Sequence, residues 1–307
     1  MPQLIRFALP RGKGFRSPPG AREGLCLKLR KAVILAAGLG TRLIPFTKEL
    51  PKEMLPLPVV EEGVLLPKPV IQIVFEQLFE AGIREYCFVV GRGKRAIEDH
   101  FTPDWDFVEY LEGSGKSVQA RALRRFYERV ESSFIAWVNQ PVPRGTGHAV
   151  YTARGFVEGE FFVVAAGDNV FIGGNVAAEL VRLHGERGEP ILTVRRVSEP
   201  WRYGVVVGEP LGGGLYRVRR IVEKPKEPVS DLANTSLYVF PPEILQAVER
   251  TPPSPRGEVE VTDAIQLLID SGVGFLAYEA GAEWVDVGNW ESYLHAVSIA
   301  TRRAREL

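Results

Sequence analysis

Cysteine, methionine and histidine are scarce in this 307-residue sequence, which contains two, two and four of them respectively. The cysteines, Cys26 and Cys87, are too few for a disulfide framework and suit a reducing compartment. An excess of charge is also lacking, since Lys plus Arg and Asp plus Glu each total 38. The charge balance therefore gives no reason to expect a nucleic-acid partner, and any bound anion must be held by local groups.

Long apolar runs are missing from the first thirty residues, where Arg, Lys, Gly and Pro are scattered. This composition excludes a signal-peptide core or a membrane span in that stretch and favours a cytoplasmic protein with no membrane partner. Residues 1–29 show little periodicity, so we predict a poorly ordered arm there. Residues 30–307 are expected to form a single domain without internal repeats.

From Lys31 onward, strand patterns alternate with helical patterns, which predicts an α/β fold with helices on both faces of a largely parallel sheet. Buried strands are expected at KAVILAA (31–37), EYCFVVG, FIAWVNQ and EFFVVAAGDN. Beyond about residue 195, YGVVVGEPLGGGLYRVRRIVE predicts a hairpin and a mixed sheet. Helices are predicted from Pro69, near Gly147, and over AAELVRLHGERG, VTDAIQLLIDSG and NWESYLHAVSIATRRAREL. The stretch VVEEGVLLP is interpreted as a loop.

The first strand leads into a glycine turn, AAGLGTR. Because glycine has no side chain, such a turn lets several backbone N–H groups approach phosphate oxygens. Neither the G-x-G-x-x-G of dinucleotide-binding folds nor the G-x-x-x-x-G-K-[ST] of P-loops is present. Gly38 and Gly40 alone would favour a purely structural turn. However, Arg42 and Lys48 follow closely, and Lys52 lies in LPKEMLPLP, where prolines restrict the backbone.

Together these segments resemble the sugar-1-phosphate nucleotidyltransferases. Their signature is a strand, then G-x-G-T-R, then a lysine ten residues after that arginine in a P-K-x-x-L-P setting; Arg42 and Lys52 match it in type and spacing. TKELPKEMLPL is especially similar to the UTP–glucose-1-phosphate uridylyltransferases. The resemblance implies a Rossmann-like nucleotidyltransferase fold with a mixed, mostly parallel central sheet flanked by helices. It further implies a nucleotide-binding part over 30–195 and a sugar-binding and C-terminal part over 196–307.

The stretch NQPVPRGTGHAV is similar to the second nucleotide loop of this family, in which a glutamine contacts the edge of a pyrimidine and a glycine segment packs against the base. Gln140 and Gly145 keep the family spacing. An amide can both donate to and accept from the imide edge of uracil, so Gln140 is chemically suited to this role. The nucleotide-binding residues implied by the resemblance are Ala36, Ala37, Gly38, Gly40, Thr41, Gln140 and Gly145.

Two aspartates correspond to the family's metal ligands. Asp168 ends the strand in VVAAGDNVF, at the edge where ligands gather in open α/β sheets, and Asp286 lies in AEWVDVGNW. In the family this pair holds a magnesium ion, and one or two carboxylates with phosphate oxygens is the usual coordination of Mg²⁺. Taken alone, Asp286 could equally be a helix cap. The resemblance therefore implies Mg²⁺ as the cofactor.

The sugar phosphate is expected at the E-K-P motif of RRIVEKPKEP. In the family the glutamate accepts hydrogen bonds from sugar hydroxyls and the lysine contacts the phosphate, roles that fall here on Glu223 and Lys224. Gly204 in YGVV corresponds to the glycine that lets the sugar approach the backbone. With Arg42 and Lys52, Lys224 completes the set of expected catalytic cations.

The remaining polar residues favour structural roles. His148 is expected to begin a helix rather than act as a base, and the other histidines lack clustered metal partners in the sequence. Three acidic residues of GEVEVTDAI are interpreted as mainly structural: Glu258, Glu260 and Asp263.

The resemblance implies Mg²⁺-dependent transfer of a uridylyl group from UTP to glucose 1-phosphate, giving UDP-glucose and pyrophosphate, by a homo-oligomer (dimer or tetramer). A phosphate monoester has a second pKa of about 6, so no general base is required. A dTTP–glucose-1-phosphate thymidylyltransferase, or dual use of UTP and dTTP, stays open because EWVDVG and NTSLYVF are closer to those enzymes. A GlcNAc-1-phosphate uridylyltransferase and a catalytically inactive nucleotide-sugar sensor are further alternatives. Asn234 and Ser236 depart from the family's usual apolar and glycine residues, which leaves the sugar open.

Overall fold

Residues 29–227 and 229–306 are described by the computed structural model. The predicted arm lies outside these residues except for Leu29, which is buried in the hydrophobic core. Within the described residues, no helix is both long enough and apolar enough to span a bilayer.

Thirteen strands lie within the described residues. They are β1 (Lys31–Ala36), β2 (Pro56–Glu61), β3 (Val64–Pro69), β4 (Glu85–Val90), β5 (Phe134–Asn139), β6 (Phe162–Ala166), β7 (Asn169–Ile172), β8 (Ile191–Arg196), β9 (Gly204–Gly212), β10 (Leu215–Glu223), β11 (Leu232–Phe240), β12 (Leu276–Glu279) and β13 (Glu283–Asp286).

The same residues form ten α-helices. They are α1 (Val70–Glu80), α2 (Arg95–His100), α3 (Trp105–Gly113), α4 (Ser117–Glu131), α5 (Thr146–Thr152), α6 (Arg154–Val157), α7 (Val176–Arg187), α8 (Ile244–Arg250), α9 (Val261–Asp270) and α10 (Trp290–Glu306). Short 3₁₀ turns cover Thr41–Leu43, Phe46–Lys48, Lys52–Met54 and Pro200–Arg202.

The central sheet has nine strands in the order β5-β4-β1-β6-β11-β8-β12-β10-β9. Pairing is parallel from β5 to β6 and between β8 and β12, and it is antiparallel in the rest of the sheet. The predicted mixed α/β fold is thus confirmed, but the sheet is not mostly parallel as expected: four of its strand pairings are parallel, three of them in the half that contains β1, and five are antiparallel. In that half Leu35 is in register with both Val89 and Ala166, so three strands end at one edge.

Alternation along β1 shows why the sheet is covered on both faces. Val33 and Ile34 point in opposite directions, both are fully buried, and each belongs to a different hydrophobic cluster. Burying one such side chain contributes about 1.5–3 kcal/mol. A strand without a polar face requires helices on both sides of the sheet, as the pattern predicted.

The stretch predicted to be a loop, VVEEGVLLP, instead forms most of a hairpin between β2 and β3. Val59 is opposite Leu66, and the turn consists of Glu62 and Gly63, both with positive φ. Two residues with positive φ are typical of a tight turn that matches the twist of the strands it joins. The predicted hairpin between β9 and β10 is confirmed, with Gly204 opposite Glu223.

Candidate active site

A cavity of about 840 Å³ opens where β1, β5 and β6 end. This is the edge at which open α/β sheets bind ligands. All but one of the predicted site residues line it: Ala37, Gly38, Gly40, Thr41, Arg42, Lys52, Gln140, Gly145, Asp168, Gly204, Glu223, Lys224 and Asp286. Ala36 is buried within β1 and does not line the cavity, and Lys48 is exposed elsewhere and paired with Glu49.

Lys52 extends from a 3₁₀ turn into the floor of the cavity. Its ammonium forms an ion pair with Asp168, and a Cβ atom built on Gly38 would lie 3.7 Å from Nζ. Burial alone would lower the pKa of Lys52, but the carboxylates of Asp168 and Glu53 outweigh it and raise that pKa. The side chain is therefore a fixed positive charge beside the glycine turn.

Asp168 and Asp286 are brought together by the small sheet of β7 and β13. Asn169 is opposite Asp286, and the N–H of Val287 donates to the carbonyl of Asp168 over 2.9 Å. Burial, and then the charge of Asp168, raise the pKa of Asp286 to about 6. Two carboxylates so close together need a compensating positive charge.

This pair of aspartates suits a hard divalent cation. Both side chains offer oxygen ligands, as Mg²⁺ prefers, and Lys52 and Arg42 lie close by. Over residues 29–227 and 229–306, no group of three or more His, Cys, Asp or Glu could hold a metal by itself. Further ligands would therefore come from phosphate oxygens and water.

Gln140 follows β5 and is held in a defined orientation. Its Nε2 donates to Nδ1 of His148 over 2.8 Å and lies 3.4 Å from the carbonyl of Gly145. Burial, and then the charge of Arg144, lower the pKa of His148, so that the ring is neutral and Nδ1 can accept. Because both amide hydrogens are engaged, the carbonyl oxygen of Gln140 is the group left to accept the imide N–H of a base. His148 was predicted to begin a helix, and it lies in the first turn of α5, but its contact with Gln140 was not predicted.

The loop that contains Gly145 is docked against the segment preceding α9. Gly145 has φ of 99°, and a Cβ atom there would lie 2.5 Å from the carbonyl oxygen of Val259. The N–H of Gly147 donates to that carbonyl over 2.9 Å, and Val259 donates to Arg144 over 2.8 Å. Only glycine fits at position 145 without moving this backbone.

Glu223 and Gly204 form the wall predicted to bind the sugar. The hydroxyl of Thr262 donates to Oε2 of Glu223 over 2.9 Å, and Nζ of Lys224 lies 3.4 Å from Oε1. A Cβ atom on Gly204 would lie 3.1 Å from that same Oε2 and 2.7 Å from the methyl group of Thr262. Glycine therefore keeps the Glu223 carboxylate accessible. Lys224 itself has φ of 41°, a strained conformation often found at functional sites.

Arg256 was not predicted to belong to the site, although it contacts three glutamates there. Its Nη2 lies 2.6 Å from Glu260, 3.5 Å from Glu223 and 3.8 Å from Glu258. Glu258 and Glu260, predicted to be mainly structural, line the cavity together with Arg256. Burial, and then the charge of Glu223, raise the pKa of Glu260 to about 7. No local sequence signal identifies this cluster, because the fold alone brings β10 to the segment before α9.

Other cavity residues could have been found from their neighbours in the chain. Arg202 and Tyr203 directly precede Gly204, and Glu53 directly follows Lys52. Asn234, where the sequence departs from the family, donates to the hydroxyl of Tyr238 over 2.6 Å, and both residues line the cavity.

These features define a nucleotide-dependent transferase: a glycine turn with two cations, an oriented amide, and two facing carboxylates at the edge of a mixed α/β sheet. A family model described as nucleotidyl transferase matches residues 31–303, and the chain belongs to that family. This confirms the resemblance found in the sequence.

Individual relatives agree with the family assignment. The UTP–glucose-1-phosphate uridylyltransferase of Staphylococcus epidermidis is 38% identical over 266 residues, which cover 85% of this chain and 88% of that one. The enzyme of the same name from Pseudomonas aeruginosa is 35% identical over 277 residues, 88% of this chain and 95% of that one. The solved structure of a UDP-glucose pyrophosphorylase complexed with UDP-glucose matches with a TM-score of 0.77 at 29% identity, covering 91% of this chain and 100% of that one.

Proposed function

We propose that this nucleotidyltransferase transfers the uridylyl group of UTP to glucose 1-phosphate, giving UDP-glucose and pyrophosphate. The observation that supports this most is that one cavity is lined by Gln140 and Gly145, the glycine turn, both aspartates and the Glu223–Lys224 pair. The names of the relatives agree with UTP and glucose 1-phosphate as substrates.

In this reaction an oxygen of the sugar phosphate attacks the α-phosphorus of UTP, and the bond to the β-phosphate oxygen breaks. The phosphate nucleophile is largely ionised near neutral pH because its second pKa is about 6, so charge repulsion is the main barrier. Arg42 and Lys52 counter the charge of the triphosphate, and Lys224 positions the sugar phosphate. Mg²⁺ held by Asp168 and Asp286 would supply additional charge neutralisation at the phosphates.

Recognition of the base rests on Gln140. Its carbonyl oxygen accepts the imide N–H, which uracil and thymine share, so this contact favours both over cytosine and adenine, which have no ring N–H on that edge. The dTTP-dependent alternative differs only at the ribose 2′-hydroxyl and the base methyl group. Glu223 accepts hydrogen bonds from sugar hydroxyls beside Gly204.

A pyrophosphate-release assay tests this proposal by crossing UTP, dTTP, GTP, ATP and CTP with the 1-phosphates of glucose, galactose, mannose and GlcNAc, with MgCl₂ and with EDTA. We expect the highest kcat/KM for UTP with glucose 1-phosphate, and loss of activity in EDTA. A clearly higher kcat/KM for dTTP than for UTP would show that dTTP is the nucleotide substrate instead. A folded protein inactive with every pair would overturn the proposal. The homo-oligomeric state and the cytoplasmic location stay predictions.

A further inference from the structure

A buried ion pair lies next to the predicted catalytic lysine, and one of its members, Glu53, lines the cavity. Nζ of Lys94, in the loop between β4 and α2, donates to Oε2 of Glu53 over 2.7 Å. The side chains are only 6% and 1% exposed, respectively. Glu53 directly follows Lys52 in the same 3₁₀ turn, so the pair connects two segments that are far apart in sequence.

Stability alone is a poor explanation for this arrangement. Removing two charges from water costs free energy that their mutual attraction often fails to recover, and apolar residues of similar volume commonly serve as well. A buried pair at this position is therefore better explained by a role in the site, which the residues around it indicate.

The ion pair packs against the segments that contain the predicted phosphate and metal groups. A Cβ atom on Gly167, next to Asp168, would lie 3.5 Å from Cγ of Glu53. A Cβ atom on Gly91, at the start of the loop that contains Lys94, would lie 3.0 Å from the carbonyl oxygen of Ala37. The charges alternate from Lys94 to Glu53, then to Lys52 and Asp168.

We propose that the Glu53–Lys94 ion pair is a positioning device for Lys52. Lys94 holds the Glu53 carboxylate in place at the floor of the cavity. From this fixed position the carboxylate attracts the Lys52 ammonium but does not form a direct ion pair with it. Were Lys94 absent, Glu53 would be free to pair with Lys52 and draw the ammonium away from the glycine turn. The inference rests on the proposed function, because that function gives Lys52 its task at the phosphates.

The test compares Lys94→Met, Glu53→Gln and the double variant with the wild type, measuring kcat, the KM values and the free energy of unfolding. Each single variant leaves a buried polar group without its partner, so a loss of activity there could reflect stability. The double variant carries neither buried charge and is expected to regain the part of the stability that a single variant loses to its unpaired charge. We expect its kcat to stay about 10- to 100-fold low with little change in KM, since small misplacements of catalytic groups have effects of this size.

A matched control is the pair of Lys68 and Glu76, which is 2.6 Å apart, 13% and 12% exposed, and does not line the cavity. The double variant Lys68→Met/Glu76→Gln is expected to keep the wild-type kcat. If the Glu53/Lys94 double variant regains both stability and kcat, the pair is merely structural and the inference is overturned.

A second readout does not depend on turnover. The rate at which acetic anhydride modifies Lys52, followed by mass spectrometry, is expected to rise in the Glu53→Gln/Lys94→Met protein and stay constant in the control. If the wild type is inactive but the labelling of Lys52 still rises in the Glu53→Gln/Lys94→Met protein, the proposed function is refuted and the positioning role is supported. Unchanged labelling together with wild-type kcat would refute the positioning role.

Discussion

Replacing Lys52 with methionine removes one ammonium group from the floor of the cavity while keeping most of the side-chain volume. If Lys52 neutralises charge that develops on the departing pyrophosphate, its loss resembles the loss of one preorganised electrostatic donor. Such a loss costs about 3–4 kcal/mol of transition-state stabilisation. We therefore expect kcat to fall by roughly 10²- to 10³-fold.

The same substitution also affects folding. Lys52 and Asp168 are 14% and 10% exposed and form a buried ion pair. Removing one partner of such a pair leaves an uncompensated charge and typically costs about 3–5 kcal/mol of stability. Turnover must therefore be measured below the denaturation midpoint, with circular dichroism and urea titration showing that the variant is folded under the assay conditions.

A lysine of similar exposure outside the cavity provides the control. Lys31 is 13% exposed and lies 3.5 Å from Glu160 at the start of β1. The variant Lys31→Met is expected to keep wild-type turnover in the pyrophosphate-release assay. A folded Lys52→Met protein with turnover within about threefold of the wild type would refute the assigned role, since threefold corresponds to less than about 1 kcal/mol.

Three further predictions follow from the geometry. His148→Leu should raise KM for UTP about fivefold without changing KM for glucose 1-phosphate, because Gln140 loses one hydrogen-bond partner worth about 1 kcal/mol; equal effects on both KM values would contradict this. Gly145→Ala should abolish UTP binding in calorimetry, since its Cβ would lie 2.5 Å from a carbonyl oxygen; normal affinity would be incompatible with the loop geometry. Burial lowers the pKa of His100 to about 4. Between about pH 6.5 and 4, His100 is protonated in the unfolded state but not in the folded state. The free energy of unfolding should therefore fall by up to about 3 kcal/mol as the pH drops through this window. Urea titrations of wild type and His100→Gln should give free energies of unfolding that diverge over the same pH range.

The parts of the site that lie close together in the chain could be predicted from the sequence. Gly38, Arg42 and Lys52 belong to one continuous segment: its glycine pattern excluded the common nucleotide loops, and the spacing from Arg42 to Lys52 supported the family resemblance. The strands β1, β4, β5 and β6 were also predictable because each is a continuous apolar run.

Contacts created by distant segments could not be predicted in this way. The approach of Asp168 to Asp286 depends on β7 and β13, which have only four residues each and show no clear periodicity. The hairpin of β2 and β3 was hidden by its prolines, which remove backbone donors and normally argue against a strand. The end of this ladder away from the turn places proline opposite proline twice, at Pro56 with Pro69 and at Pro58 with Pro67.

The neutral overall charge of the chain is compatible with two highly anionic substrates because the cations of the cavity are individually held by carboxylates. Lys52 is paired with Asp168, Lys224 lies beside Glu223, and Arg256 contacts Glu260. Such pairs fix the direction of each cation before any phosphate arrives, whereas a surplus of positive charge would attract anions without orienting them. Electrostatic attraction here acts over a few ångströms, well within the screening length of about 8 Å at physiological ionic strength. Moderate salt should therefore weaken catalysis by this site much less than it weakens proteins that bind anions through a broad positive surface.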